Sequence, residues 1–253
     1  MTLEQRKELI KFTNCAVNVY GILTKNEFYK IFKHNYKESN LEKTEILEFL
    51  ESLFLLHLKN EILSQIDQKQ LFIFTEFIDE KGQKTENKNE VLYFAIHKNF
   101  IVHNFIYLKT LNFKNLPENK EEENALTNEI NKLHNTWKQK NLTIVKNEEL
   151  FEYEFPTALY FSTVIEKTYL NLTGNVQYNK VKFLTSTTSY YYFLMIFGLE
   201  DYTLKSFIQE MKNSGASLKD ENQQKEFIQM LASIAYNLPI WPNRGVNSYS
   251  LEN

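Results

Sequence analysis

The chain has 253 residues, with 29 Lys+Arg against 32 Asp+Glu, a formal charge of −3, 43% hydrophobic residues and 15% aromatic residues. This balance excludes a chain disordered throughout and suits a folded protein of one or two domains. A single cysteine, Cys15, excludes a disulfide scaffold and a zinc–cysteine site.

Residues 3–20 read as a helix, because Leu9, Ile10, Ala16, Val17 and Tyr20 recur at helical spacing; Gly21 stops it. Thr24-Lys-Asn-Glu27 has the form of a capping box and opens a second helix over 25–36. Ser39 or Asn40 precedes a third helix at about 41–57, with a broad apolar face from Ile46 to Leu56. The texture then turns β-rich at Leu71–Ile78, Val91–Ile96 and Phe100–Leu108, with a polar loop at Asp79–Glu90 and a tight turn at His97–Asn99. Pro117 and the charged run after it mark a boundary. A helix over about 118–140 follows, with Glu121, Glu122 and Glu123 in its first turn, where the helix dipole favours them, and Lys138 and Lys140 in its last. The remainder predicts helices at about 147–155, 157–171, 187–197, 202–213 and 221–237, broken by Pro156, Gly174, Gly198 and Gly215. The expected fold is α+β, mainly α. It comprises a winged-helix-like N-terminal domain (1–112, strands at about 71–108, a small antiparallel sheet) and a helical domain over 113–253.

The N-terminus lacks the apolar core of a signal peptide, and the run Leu53–Leu58 is far short of the ~20 residues that span a bilayer. The expectation is a cytoplasmic chain with no membrane partner. The histidines, His34, His57, His97, His103 and His134, have no metal-ligand spacing. His97 and His103 bracket a hairpin turn, a placement that allows them to approach each other across strands, and the histidines are expected on the surface or at an edge. Cys15 reads as a buried small hydrophobe. No phosphate loop, nucleophile elbow, kinase or deaminase signature occurs. The expectation is therefore no catalytic residue, no metal and no cofactor. An active site would have to be assembled in three dimensions, in a pocket holding two titratable groups shifted in opposite senses.

Lys25, Lys30, Lys33 and Lys37 cluster on and just after the second helix, and residues 1–37 carry a local charge of +4. In a winged helix the third helix normally enters the major groove. Here that helix carries Glu42, Glu45, Glu48 and Glu51, which phosphates repel. Only Arg6 and Arg244 are arginines, although base readout favours the guanidinium fork. Nucleic-acid binding through the lysines is the disfavoured alternative. Tyr190–Phe197 is apolar all round if helical and is expected in the core or partly at an interface.

The tail Asn237-Leu-Pro-Ile-Trp-Pro-Asn-Arg-Gly245 offers Pro239, Trp241, Asn243 and Arg244 as further candidate interaction residues. With Asn237, Pro239, Trp241 and Gly245 it resembles the closing motif of uncharacterised proteins of low-GC Gram-positive bacteria, often found beside a SEC-C metal-binding motif. Val246-Asn-Ser248 departs from that family's His-Thr-Pro end. Val19–Phe32 and Ile101-Val-His103 resemble its opening segment and a later motif, with Asn104 in place of the expected proline. The resemblance implies a winged-helix-like start and a helical remainder. It implies no metal, because the SEC-C cysteines are absent, and it carries no activity. The functional expectation is a non-enzymatic interaction protein of a bacterium or its mobile elements, with a protein partner and room for self-association. Inhibition of a host defence or replication protein is a special case.

Overall fold

A computed structural model describes residues 1–64, 75–78, 84–87, 92–111, 116–153, 157–174, 177–197, 201–238 and 240–245. Helix α1 (Leu3–Tyr20) is opened by Thr2, whose hydroxyl accepts from the Gln5 amide while the Gln5 side chain accepts from the Thr2 amide. From Leu9 onward most of α1 is buried, and Gly21 ends it at φ 68°, its amide donating to the Val17 carbonyl. β1 (Ile22–Thr24) follows at once. Thr24 closes the strand and caps α2 (Lys25–Asn35), with Glu27 completing the capping box the sequence predicts. α3 (Lys43–Ser64) runs longer than expected and buries Ile46, Leu50, Leu53 and Phe54. Leu56, expected on that apolar face, is exposed, as is Leu55 at 57%.

β2 (Thr75–Ile78) and β3 (Lys84–Asn87) pair antiparallel, so the expected polar loop at Asp79–Glu90 contains a strand. Leu71–Phe74, where the first β-rich run begins, lie outside the described residues. β4 (Phe94–His97) and β5 (Phe100–His103) form a hairpin whose two-residue turn puts Lys98 at φ 48°. β1 joins on the far side of β5, giving the order β1–β5–β4 with Leu23, Ile101 and Ile96 in register. All of these strand pairs are antiparallel. β5 does not continue to Leu108. The chain leaves the sheet at His103 and winds into α4 (Asn104–Thr110). The reason is local. The His103 ring accepts from the Phe105 amide, as an N-cap does. Asn104 is tied back by its backbone amide to Tyr93 O at 2.8 Å and by its side-chain amide to Leu92 O at 2.6 Å.

α5 (Lys120–Trp137) carries Glu121, Glu122 and Glu123 in its first turn as predicted; Lys138 and Lys140 lie just past its end. A short α6 (Asn147–Leu150) and a single tight turn, Phe151–Tyr153, follow. The remaining helices are α7 (Thr157–Thr173), α8 (Lys180–Phe197), α9 (Asp201–Asn213) and α10 (Glu221–Asn237). α8 starts earlier than its sequence suggests. Gly215, at φ 87°, ends the α9 segment: its amide donates to Lys212 O and the Ala216 amide to Met211 O, a Schellman arrangement. Pro156, Gly198 and Pro239 lie outside the described residues, as do Val246-Asn-Ser248.

The compact units do not divide near residue 112. The first comprises Met1–Asn135 with Ile144–Glu154, the second Thr136–Thr143 with Phe155–Asn253. α5 joins the first unit for most of its length because its face bearing Leu126 and Ile130 is buried there. His134 on the same helix donates to Glu27, the capping-box carboxylate of α2, at 2.9 Å. The core of the first unit centres on Phe12, which meets Phe28, Phe32 and Tyr36 edge-on at ring distances of 5.6, 5.5 and 5.5 Å. The second unit packs α7 and α9 against α8. Tyr190 stacks on Phe207 at 4.2 Å, and Phe161 contacts both Tyr190 and Tyr191.

Phe12 is fully buried at the junction of three aromatic rings, so truncation leaves a cavity with little scope for collapse. Phe12→Ala is expected to cost about 3–5 kcal/mol. Urea unfolding followed by near-ultraviolet circular dichroism checks this.

Candidate functional site

The sequence nominates eight interaction residues, and the structure brings few of them to a common surface. Lys30 and Lys37 are at least partly open to solvent. Lys33 is spent locally, donating to Ser39 O at 2.7 Å. Lys25 is largely shielded and ion-paired with Glu51 of α3. A continuous lysine track along α2 is therefore not formed. The tail residues require a second correction. Trp241, Asn243 and Arg244 are buried within the second unit, 1%, 2% and 3% exposed. Trp241 packs near Trp137 and Tyr192, Asn243 accepts from Lys140, and the Arg244 carbonyl accepts from the Thr143 amide at 3.2 Å. Burying a tryptophan outweighs presenting it to solvent, and the tail fastens the interior of its unit. Pro239 lies outside the described residues.

The histidines also depart from expectation. His97, His103 and His134 are buried, at 6%, 4% and 3% exposure, rather than on the surface, although His97 does lie on the edge strand β4. His97 and His103 do not meet across the hairpin. His97 faces Phe100 and His103 faces Phe94, so they stand at opposite ends of the β4–β5 ladder. Among the described residues, no group of three or more His, Cys, Asp or Glu is placed to hold a metal ion. Cys15 is buried in α1.

His103 is locked by two hydrogen bonds. Nδ1 accepts from the Phe105 amide at 3.1 Å, so the proton sits on Nε2, which donates to Asn18 Oδ1 at 3.1 Å. The Asn18 amide in turn donates to Tyr153 O at 2.7 Å. Complete burial drives the His103 pKa down to about 3.

The candidate site is a cleft of about 810 Å³ in the first unit. The start of α2, the middle of α3, the β4–β5 turn, α4, the segment Leu116–Asn119 and the first turn of α5 form its walls. Phe54, Leu55, Ile96, Tyr107, Leu116 and Pro117 supply apolar lining. Four of its six charged groups come in opposite pairs. Lys25 bonds Glu51; Lys98 lies 3.9 Å from Glu123 and donates to Asn124 at 3.0 Å; Lys120 and Glu118 stand on the exposed rim.

Two neutral polar groups complete it. His97 Nε2 lies 2.8 Å from the Thr127 hydroxyl oxygen, and that hydroxyl lies 2.6 Å from the Glu123 carbonyl one helical turn earlier. A carbonyl has no proton to give, so the single hydroxyl proton of Thr127 goes to Glu123. His97 must then donate from Nε2, leaving Nδ1 as a lone-pair acceptor. Burial, then Lys98, lowers the His97 pKa, while the Glu123 carboxylate and carbonyl act the other way. The Tyr107 ring lies 6.0 Å from His97 and packs edge-on against Phe54 at 6.1 Å. Burial, then Glu123, pushes its hydroxyl up to about 12. The two groups thus shift in opposite senses, the condition that motif-poor sequence leaves open for an active site. Burial is the leading cause of both shifts, however, and it makes both neutral near pH 7. They form a hydrogen-bond acceptor and donor side by side, with no nucleophile and no ionised base between them. Sequence reasoning nominates neither His97 nor Tyr107 as an interaction residue. The signal present is Thr127, a hydroxyl on the buried side of α5 next to Leu126.

Comparison with family models, with curated proteins and with solved structures yields no match.

A histidine whose pKa is lowered on folding disfavours protonation of the folded state. Its contribution is complete above its unfolded value of 6.5 and is lost as pH falls from there towards about 3. Wild-type stability is expected to fall below pH 6.5 more steeply than that of His103→Gln, by about 1.4 kcal/mol per pH unit for the one proton concerned. Urea midpoints of the two proteins between about pH 5 and 7 read the difference.

Proposed function

We propose that the chain is a non-enzymatic interaction protein and that the cleft of its first unit takes a short peptide segment of a protein partner. One observation carries this reading: Lys25 is paired with Glu51 and Lys98 with Glu123, Lys120 and Glu118 stand on the exposed rim, and the apolar lining with two neutral polar groups remains to meet a ligand. Such a lining favours recognition by shape, burial and hydrogen bonds over bond-making chemistry. Leu55 at 57% and Leu56 at 43% exposure extend the apolar lip along α3.

The order helix, strand, helix, helix and two successive hairpins, with the first strand paired to the last, supports a winged-helix-like reading of the first unit. It also keeps nucleic acid in view as the second reading. The side chains disfavour it: Lys25 and Lys33 are engaged within the protein, Lys43 donates to Asn26, and Glu42, Glu45, Glu48 and Glu51 populate α3 and its entry. Phosphate contacts need cations free to displace counterions. Among the described residues no helix is long and apolar enough to cross a membrane.

Peptides selected from a random display library on the intact chain are expected to bind with micromolar affinity, about −8 kcal/mol. Leu55→Asp, at an exposed position that leaves the fold unburdened, is expected to weaken them at least tenfold in calorimetric titration. Unchanged affinity, or binding of a fluorescent DNA duplex that falls with salt and with Lys30→Glu, would overturn the reading.

A further inference from the structure

The cleft's polar pair has a chemistry narrower than peptide recognition in general, and its meaning depends on the cleft being the binding site. His97 offers a lone pair at Nδ1, fixed by the donation of Nε2 to Thr127, and among the described residues Nδ1 has no partner. Tyr107 offers a hydroxyl, likewise without a hydrogen-bond partner among the described residues. The two rings are neighbours at 6.0 Å, and both line the cleft. A ligand group that uses the Nδ1 lone pair and the hydroxyl proton together donates one hydrogen bond and accepts another.

A carboxylate fails on the first count. It has only acceptors, and a second lone pair facing Nδ1 is repulsive. An ammonium could donate to Nδ1, but it has no acceptor for the Tyr107 hydroxyl proton, and it would lose its water there. A hydroxyl has donor and acceptor on one atom, whereas the protein presents its two sites on separate rings. A carboxamide carries an N–H and a C=O on separate atoms of one plane and has no charge. The apolar walls of Phe54, Leu55, Ile96 and Pro117 then receive the carbon stem that bears it.

We propose that the group seated beside His97 and Tyr107 is a carboxamide on an apolar stem, either a peptide amide or the side chain of Asn or Gln. His97 accepts its N–H and Tyr107 donates to its carbonyl. The three lysines and three glutamates around the cleft leave little net field, so a charged head of either sign finds no attraction there to offset its lost hydration.

Four small probes share one branched apolar stem and differ in the head: isocaproamide, isocaproate, isohexylammonium and isohexanol. The intact ¹⁵N-labelled chain is titrated with each while the His97 ring nitrogens are followed by NMR. Without probe, His97 is expected to show a protonated Nε2 and a bare Nδ1. Isocaproamide is expected to move the Nδ1 resonance saturably and to bind at least fivefold more tightly than the other three. Tyr107→Phe keeps the ring and is expected to weaken isocaproamide at least threefold with an unchanged Tm. A proton on Nδ1 overturns the inference, as does isocaproate, isohexylammonium or isohexanol binding as tightly as the amide. It is overturned too if isocaproamide leaves His97 unmoved or if Tyr107→Phe has no effect. In these cases peptides that bind wild type but not Leu55→Asp would leave the cleft as the peptide site and remove only its amide preference.

Discussion

His103 stands where a strand ends and a helix begins, and the geometry there requires an imidazole without charge. Its two nitrogens face a backbone donor on one side and a carboxamide oxygen on the other, so a second proton would have no acceptor. Through Asn18 and the Tyr153 carbonyl the same ring ties α1 to the turn after α6. The His103 backbone amide donates at 2.7 Å to the carbonyl of Gly21, the residue that ends α1. One residue therefore terminates β5, starts α4 and fixes both to the first helix. Tyr107 follows four residues later, one turn into α4, and His97 sits at the other end of the hairpin. The cleft's polar pair is placed by this exit from the sheet.

Burial without charge recurs across the first unit and explains why its ionisable residues are quiet. A buried ion needs a partner and further hydrogen bonds to offset its desolvation. Glu27 meets this need with three donors: the amide and hydroxyl of Thr24 at 2.9 and 3.0 Å, and His134 Nε2 at 2.9 Å. Lys25 meets it with Glu51 across α2 and α3. His97 and Tyr107 stay neutral instead. Much of the charge in the unit is thus either paired or at the surface, and exposed pairs such as Lys98–Glu123 are worth at most about 1 kcal/mol. Stability rests on the aromatic cluster around Phe12 and on the sheet, and the charges shape the cleft more than they hold it together.

The features legible in the sequence are those whose cause is local. Thr2–Gln5, Gly21 and Thr24–Glu27 set the first two helices because caps act over three or four residues. The acidic first turn of α5 and the Gly215 terminus are of the same kind. Phe100–Leu108 reads as one strand because its composition is β-prone throughout; the break at Asn104 depends on Tyr93 and Leu92 carbonyls that only the fold brings near. Trp241 and Arg244 resemble surface chemistry in the sequence because their partners, Trp137, Tyr192 and Thr143, are remote in the chain. The cleft is illegible for the same reason. Its walls come from five separated segments, and the Thr127 bond that fixes the His97 tautomer spans 30 residues.

A neutral donor–acceptor pair discriminates more sharply than its modest strength suggests. A hydrogen bond formed with a ligand nets about 1 kcal/mol, because water is displaced from both sides. A ligand that buries Nδ1 of His97 and leaves it unmatched incurs the desolvation cost of that group, about 1–3 kcal/mol, with nothing in return. The penalty for the wrong head therefore exceeds the reward for the right one. An ionic site works the other way: any opposite charge gains from it, and water and salt soften the contrast. With Lys25 paired to Glu51 and Lys98 beside Glu123, a ligand seated as proposed would find little long-range attraction, and its selection would fall to two uncharged atoms held by a threonine, a helix turn and the end of a strand.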